Sequence, residues 1–364
     1  MKMLRYTAVA LVLIAAVSWM TAGFAQAPVQ LNPVQLSPAP LTPAPTAKPA
    51  AKPAPKPVRK QAVEPAPMAA VATAPSSPHE PDLAYGAYQR GYYMTAFAIA
   101  TRRIEQKGDV KAMTLLGELY ARGYGIAHDD AKAAEWYRLA ADRGDREAMF
   151  ALAMFHLGGR ISNGSAEQGK RLLAAAAKLG HAAAAYDLAL LYMEGRLFPQ
   201  DIARAAELFR SAADMGNPEA QYALATLYKE GRGVPKDLAE AARLLHAAAL
   251  ADNTDAQVEY AVALFNGFGV QRNERDAAAL LKRAAQKGNA VAQNRLANVL
   301  AVGRGVPADA VEAIKWHMIA KAGGVGDIPL DTFVGRQTND VRAAAEKAAK
   351  TYIDAIKKAR EQHS

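Results

Sequence analysis

The sequence predicts an all-α fold, a right-handed α/α superhelical solenoid whose repeating unit is a helix-turn-helix of 36 residues. Three observations predict it: an alanine, a helix-breaking residue and a helix-capping residue each recur on that same spacing. A fixed period between roughly 20 and 50 residues is typical of stacked supersecondary units. The alanines are Ala112, Ala148, Ala184, Ala220, Ala256 and Ala292, the breaks are Gly144, Gly180, Gly216, Asp252, Gly288 and Gly324, and the caps are Asp129, Ser165, Asp201, Asp237, Asn273 and Asp309.

The first 25 residues are typical of a secretory signal peptide. Lys2 and Arg5 precede an apolar run over residues 8–20, and the small residues Gly23, Ala25 and Ala27, of which the two alanines are possible cleavage sites, follow. The apolar run is short for a membrane helix, which favours a cleaved signal. We expect cleavage after Ala25, and therefore a periplasmic protein without a membrane span. An uncleaved signal anchor is the alternative. The chain contains no cysteine, which excludes disulfides, thiol chemistry and lipid attachment.

Residues 26–82 have the composition of a disordered linker. They hold 15 of the 20 prolines in the chain, together with many alanines and five spaced cations. Proline removes backbone donors and favours extended polyproline II, so this segment predicts a semi-stiff spacer. Contact of its cations with an anionic cell wall is the alternative interpretation. The cations are Lys48, Lys52, Lys56, Arg59 and Lys60.

Within each repeat, the pattern predicts a first helix, a glycine loop and a second helix. In the unit that begins at Ala220, apolar residues follow helical spacing until Gly231, and Pro235 prevents the helix from continuing. Asp237 then caps the second helix, a contribution of about 1 kcal/mol. The second helix places the bulky pair Leu244 and Leu245 close to small alanines, so we expect large side chains to pack into gaps beside small ones.

This order of motifs resembles the Sel1-like repeat, which is similar to the tetratricopeptide repeat with a longer loop between its helices. The resemblance covers residues 112–324 in six units and is preceded by a degenerate N-terminal repeat at 83–111. The second unit departs from it at 161–164, and the fourth ends in Asp252 instead of glycine. The resemblance implies an exported bacterial adaptor that binds a protein or peptide. Some exported members carry paired cysteines linked to β-lactam binding, but this chain has none.

Residues 325–364 are expected to cap the open end of the solenoid. One face of a predicted helix is apolar there, and such a helix would cover the last repeat. Four tyrosines at the N-terminal end are expected to cap the other end of the solenoid. A protein-binding surface is the alternative. The C-terminal residues are Val341, Ala345, Ala348, Tyr352 and Ile356, and the tyrosines are Tyr85, Tyr88, Tyr92 and Tyr93.

The formal net charge of +9 does not indicate a nucleic-acid partner. Residues 83–340 carry 31 Lys or Arg against 29 Asp or Glu, so the positive surplus lies in the two terminal segments. A near-neutral solenoid lacks the basic stripe that neutralises phosphates.

The sequence gives no support for an enzyme, a cofactor or a metal site. The glycine loops follow helices rather than strands, so they predict helix stops and not phosphate-binding loops. The seven histidines occupy scattered repeat positions, and there is no Gly-x-Ser-x-Gly motif. A β-lactam hydrolase would need a nucleophile or a metal cluster, and the sequence provides neither.

The first helices supply the candidate partner-binding residues. If they line a concave groove as in tetratricopeptide repeats, the third, seventh and tenth positions counted from each alanine face that groove. These positions are apolar and aromatic in the middle units and polar in the flanking ones, which favours a bound segment anchored at its centre. Burial between neighbouring first helices is the alternative. The candidates are Glu118, Phe150, Met154, Tyr186, Leu190, Met193, Tyr222, Lys229, Asn294 and Asn298.

The leading hypothesis is a non-catalytic periplasmic scaffold that binds a protein or peptide in this groove. The family resemblance implies roles in envelope signalling or exopolysaccharide control. The alternative is a structural protein of the cell envelope that binds peptidoglycan or polysaccharide through the basic segment 26–82.

Overall fold

The structure is a computed structural model that describes residues 82–162, 164–195 and 199–361. These residues form sixteen α-helices and no β-strand, which confirms the predicted all-α solenoid. The predicted signal peptide and almost all of the predicted linker lie outside the described residues. The helices are α1 (Leu83–Gln89), α2 (Tyr93–Lys107), α3 (Val110–Arg122), α4 (Asp130–Ala141), α5 (Arg146–Leu157), α6 (Ala166–Lys178), α7 (Ala182–Glu194), α8 (Ile202–Asp214), α9 (Pro218–Glu230), α10 (Leu238–Leu250), α11 (Thr254–Asn266), α12 (Glu274–Gln286), α13 (Ala290–Val302), α14 (Ala310–Ala322), α15 (Ile328–Gly335) and α16 (Asn339–Glu361).

The six repeats are six helix pairs. Helices α3, α5, α7, α9, α11 and α13 are the first helices, and each packs against the second helix that follows it. Each second helix also packs against the next first helix, so the units stack in sequence order. Every first helix begins two residues before its recurring alanine.

The capping residues predicted for the second helices are confirmed in all six units. In the fourth unit, Asp237 Oδ1 accepts hydrogen bonds from the amides of Ala239 and Glu240 at 2.9 and 3.0 Å. Its counterparts accept from the amide three residues ahead. A second row of caps, which the sequence analysis did not single out, begins the first helices and bonds the amide of the recurring alanine. These caps are Asp109, Asp145, His181, Asn217, Asn253 and Asn289.

The core lies between the helices of each pair and follows the predicted contrast of large and small side chains. The second member of each bulky pair is buried in every unit, and the alanine three residues later is fully buried. Gly117 shows why small residues are needed, since a Cβ there would lie 2.6 Å from Cε1 of Tyr137. The bulky residues are Tyr137, Leu173, Phe209, Leu245, Leu281 and His317, and the alanines are Ala140, Ala176, Ala212, Ala248, Ala284 and Ala320.

The glycine loops end the first helices and also hold neighbouring units together. Gly231 is left-handed at φ 72° and closes α9, while Gly233 lies so close to the preceding unit that a Cβ would be 2.6 Å from the carbonyl oxygen of Ile202. In two units a loop arginine continues this contact. Arg304 donates to Glu274, and Arg160 donates to Asp130, in both cases thirty residues earlier. The loop is therefore part of the joint between units.

At the C-terminal end, α16 packs against α14, the second helix of the last repeat. Tyr352 lies edge-on to Trp316 with ring centroids 5.1 Å apart, and its hydroxyl donates to the carbonyl of Gln286 at 3.3 Å. Ala345 and Ala349 are buried on the same face. The short helix α15, which the sequence analysis did not anticipate, precedes α16 and makes only slight contact with α13 and α14, so α16 takes the place of a further first helix.

Candidate functional site

The first helices lie side by side and form one surface, which we call the first-helix face. Side chains connect neighbouring members of this row. Lys229 of α9 donates to Glu259 of α11 at 2.7 Å, and Phe150 of α5 stacks on His181, the cap of α7, with ring centroids 4.4 Å apart. The face is thus continuous across units, as a binding surface for an extended segment requires.

Most of the ten candidate residues are half-buried on this face. Leu190 is the exception on the apolar side, since it is only 7% exposed and belongs to the core, so it is unavailable to a partner. Lys229 is the only exposed candidate. The half-buried candidates are Glu118, Phe150, Met154, Tyr186, Met193, Tyr222, Asn294 and Asn298.

The polar candidates at the flanks are engaged within the protein. Asn298 Nδ2 donates to Asp327 Oδ2 at 2.9 Å, and Asn294 Nδ2 donates to the same oxygen at 3.3 Å. Asp327 is also the cap of α15, so this cluster joins the last first helix to the C-terminal segment.

Glu118, at the other flank, is engaged in the same way. It accepts from the hydroxyls of Tyr137 at 2.9 Å and Tyr88 at 3.4 Å, and it pairs with Arg122. Burial and the Glu118 charge raise the pKa of Tyr88 to about 12.

The part of each first helix that is open to solvent is displaced from the predicted stripe. The positions with greatest exposure are the one just before the recurring alanine and the eleventh, not the third, seventh and tenth. The third position points partly into the joints between helices, as the Phe150 stacking shows. A rotation of under a quarter turn about the helix axis accounts for the difference. The exposed residues are Lys111, Arg122, Glu147, Glu219, Glu230, Asp255, Asn266, Val291 and Val302.

Two half-buried tyrosines lie at the middle of the face. Burial, followed by the charges of Asp187 and Glu219, raises the pKa of Tyr186 to about 12. Burial also raises the pKa of Tyr222, with smaller contributions from acids on α9 and α11. Neither phenol hydroxyl hydrogen-bonds another described residue, so both remain available as donors at neutral pH.

Three of the four N-terminal tyrosines, Tyr85, Tyr88 and Tyr93, form a cluster of rings with Tyr124, whereas Tyr92 is exposed. Tyr93 stacks on Tyr124 of the first glycine loop with centroids 4.5 Å apart, and Tyr88 stacks on Tyr85 at 6.0 Å. The cluster ties α1 and α2 to the first complete repeat.

The described residues hold no group of three or more His, Cys, Asp and Glu side chains that could hold a metal ion. Their histidines serve separate structural contacts. His181 caps α7, and the Nε2 of His317 lies 2.8 Å from Asp331. Within the same part of the chain, no helix is long and apolar enough to span a membrane.

Comparison with known proteins identifies the repeat. The family model of the Sel1 repeat matches six consecutive segments, at residues 110–145, 146–181, 182–217, 218–253, 254–289 and 290–324. Together they make up more than half of the chain.

The chain belongs to the Sel1 repeat family. The resemblance drawn from the sequence is confirmed, although the matched segments begin at the start of each first helix, two residues before the alanine. Sel1 repeats generally serve as scaffolds for protein–protein interaction, and the family is typically non-catalytic.

Solved structures with Sel1 repeats resemble this chain. The Sel1 repeat protein from Oxalobacter formigenes is 29% identical over 70% of this chain and 76% of that one, with a TM-score of 0.54. The protein c5321, a protective antigen of uropathogenic Escherichia coli strains with an SLR fold, is 26% identical with a TM-score of 0.47. The alignment with c5321 covers 72% of this chain but only 64% of that one. A search of curated proteins found no match to the sequence.

Proposed function

We propose that this Sel1 repeat protein is an exported, periplasmic, non-catalytic scaffold that binds a segment of a partner protein along the first-helix face. The observation that carries the proposal is the pair Tyr186 and Tyr222. They occupy the same position in consecutive units, are half-buried, and have hydroxyls without a partner among the described residues. Tyrosine combines a rigid apolar ring with a polar tip, which makes it a frequent anchor at protein interfaces.

The arrangement suits recognition better than chemistry. The half-buried Met154 and Met193 lie on the same face as the tyrosines, and methionine adapts its shape to a bound surface. At one flank of the face, Asn294 and Asn298 donate hydrogen bonds to Asp327, so these polar groups are already engaged within the protein. An extended segment or a helix would therefore find apolar contacts at the centre of the face.

The periplasmic location is supported by the sequence of residues 1–25. The experiment is N-terminal sequencing of the protein recovered from the periplasmic fraction of its host, where cleavage after Ala25 gives a chain that begins at Gln26. Recovery of the uncleaved chain with the membranes would support the signal anchor instead.

Binding is tested by affinity capture from periplasmic extract with the purified protein and its Tyr186→Ala/Tyr222→Ala variant. Captured proteins are identified by mass spectrometry, and one that depends on both tyrosines is then purified and its Kd measured directly. The matched control is Tyr92→Ala/Leu250→Ala, which removes two side chains that are 62% and 68% exposed away from the centre of the face.

We expect the Kd of the tyrosine variant to be at least tenfold higher than that of the wild type, as for a typical pair of interface anchors. The control variant should bind like the wild type. Circular dichroism must show equal helicity in all three proteins. A partner retained at full affinity by the tyrosine variant would place the interaction elsewhere on the molecule.

A further inference from the structure

Three consecutive first helices make the middle of the first-helix face acidic. Helices α7, α9 and α11 together carry six carboxylates and a single cation, Lys229. The flanking first helices α3, α5 and α13 carry four Lys or Arg and two Glu. The negative charge is therefore local, although residues 83–340 as a whole are close to neutral. The six acids are Asp187, Glu194, Glu219, Glu230, Asp255 and Glu259.

Five of these acids act electrostatically on the two central tyrosines. The charges of Asp187 on α7 and Glu219 on α9 act on Tyr186. In the next unit, Glu259 and Asp255 on α11 and Glu230 on α9 act on Tyr222. Carboxylates of neighbouring first helices thus act on the same two phenols.

Some of the acids have partners within the protein and some do not. Glu259 pairs with Lys229 at 2.7 Å, and Glu230 pairs with Arg232 at 3.3 Å. Asp255 accepts a hydrogen bond from Asn289 at 2.9 Å. No hydrogen bond or ion pair joins Asp187 or Glu219 to another described residue.

The repeat register explains why Asp187 lacks a cation. Asp187 occupies the position of Glu259 two units earlier, and Glu259 is paired with the residue thirty positions before it. For Asp187 that residue is Leu157, an apolar side chain. The half-buried carboxylate is consequently desolvated without compensation, and its burial raises its pKa to about 7. A cation from a bound molecule would supply the missing charge.

We propose that the acidic middle of the first-helix face binds an extended segment of a partner protein that carries several lysine or arginine side chains, one of which pairs with Asp187. This inference rests on the proposed function and names the chemistry of the partner. Successive first helices present their acids one after another along the row, and side chains such as Lys229 and Glu259 reach from one helix to the next. A polyproline II segment is extended and shows every third residue on one side, so it can present a row of cations to this row of acids.

The test uses three labelled peptides with the repeats Lys-Pro-Ala, Glu-Pro-Ala and Ser-Pro-Ala, four copies each, and fluorescence anisotropy with the purified chain. The lysine peptide is expected to bind, and its affinity is expected to fall as NaCl increases because salt screens exposed charges. The Asp187→Asn/Glu219→Gln variant should bind it roughly tenfold more weakly, since two lost ion pairs together contribute about 1.4 kcal/mol.

The matched control is Glu167→Gln/Glu207→Gln, which removes the same charge from the second helices α6 and α8. It should bind the lysine peptide like the wild type. Equal binding of the glutamate peptide, or unchanged binding by Asp187→Asn/Glu219→Gln, would overturn the inference. If in that case a captured partner still depended on Tyr186 and Tyr222, the proposed function would stand while its basic-partner chemistry failed.

Discussion

Arg304 donates two hydrogen bonds to Glu274, thirty residues earlier in the chain, from Nε at 3.0 Å and from Nη2 at 2.9 Å. The same guanidinium donates to the carbonyl of Phe265 at 3.3 Å and lies over its ring, 5.0 Å from the centroid. Arg160 repeats the polar contacts with Asp130 and the carbonyl of Ala121, whereas the ring under its guanidinium is Phe155 of its own unit. The loop arginine is thus a recurring link between one unit and the next.

Replacing Arg304 should loosen that link. We expect Arg304→Ala to lower the free energy of unfolding by about 1 kcal/mol, the sum of a partly exposed ion pair and a hydrogen bond to a carbonyl. The free energy of unfolding of Arg304→Lys should lie between those of Arg304→Ala and the wild type, because lysine keeps the charge but not the planar fork. Urea unfolding measures all three, and equal stability of the lysine and wild-type proteins would show that the fork geometry is unimportant.

The two glycines of one loop offer a matched pair. Gly267 and Gly269 are both left-handed, with φ of 73° and 68°. A Cβ at Gly267 has its nearest neighbour 3.6 Å away, whereas at Gly269 it would overlap the carbonyl of Leu238.

Both alanine substitutions therefore cost about 1–2 kcal/mol of backbone strain, but Gly269→Ala also forces two units apart. We expect Gly269→Ala to be the less stable variant by about 2 kcal/mol or more, as for other overpacked sites. Thermal unfolding of the two variants compares them directly. Equal losses would mean that the close approach of the loop is not required.

Asp252 is the only non-glycine residue with positive φ among the described residues, at 73°. It stands where the other repeats have glycine, and it pairs with Arg283 at 2.6 Å and Lys287 at 2.5 Å. The pairs with these cations offset a strained backbone.

We expect the Tm of Asp252→Gly minus that of the wild type to become more positive as NaCl rises from 20 mM to 1 M. Salt screens the exposed ion pairs of the wild type but does not alter the strain that glycine relieves. The measurement is Tm at both salt concentrations. A difference in Tm that does not change with salt would contradict the role of the ion pairs.

Asp187 should make stability depend on pH in the direction opposite to a salt-bridged carboxylate. Its pKa rises from 3.8 to about 7 on folding, so between those values the folded state holds more protons than the unfolded state. Stability therefore falls as pH rises through this window. Asp187→Asn removes the effect, and we expect it to be more stable than the wild type by about 2 kcal/mol at pH 8, with the difference nearly gone near pH 4.

Urea unfolding at pH 8, 6 and 4 measures this difference. Glu167→Gln, an exposed carboxylate on α6, is the control and should show no comparable trend with pH. An Asp187→Asn protein that is less stable at pH 8 would show that the carboxylate has a stabilising partner in the free protein.

Local signals along the chain were enough to predict the helical repeat, its period and most of its helix boundaries. These features depend on interactions within a few residues. Asp237 caps the amides that immediately follow it, and Gly231 ends the helix of which it is the next residue. The second row of caps, such as Asn217, carries the same local signal. It was missed because the recurring alanines near these caps were used to define the repeat.

The stripe of the first helices that faces solvent, and the charges that lack partners, depend on contacts between distant parts of the chain. The repeat pattern predicted that both Leu190 and Tyr186 face the groove. In the structure Leu190 belongs to the core, whereas Tyr186 is half-buried and remains accessible. Asp187 and Glu259 share a repeat position, and their environments differ because Leu157 and Lys229 lie in the preceding first helices. Burial and pairing depend on side chains about thirty residues away, brought together by stacking, and a periodic pattern within one unit does not contain that information.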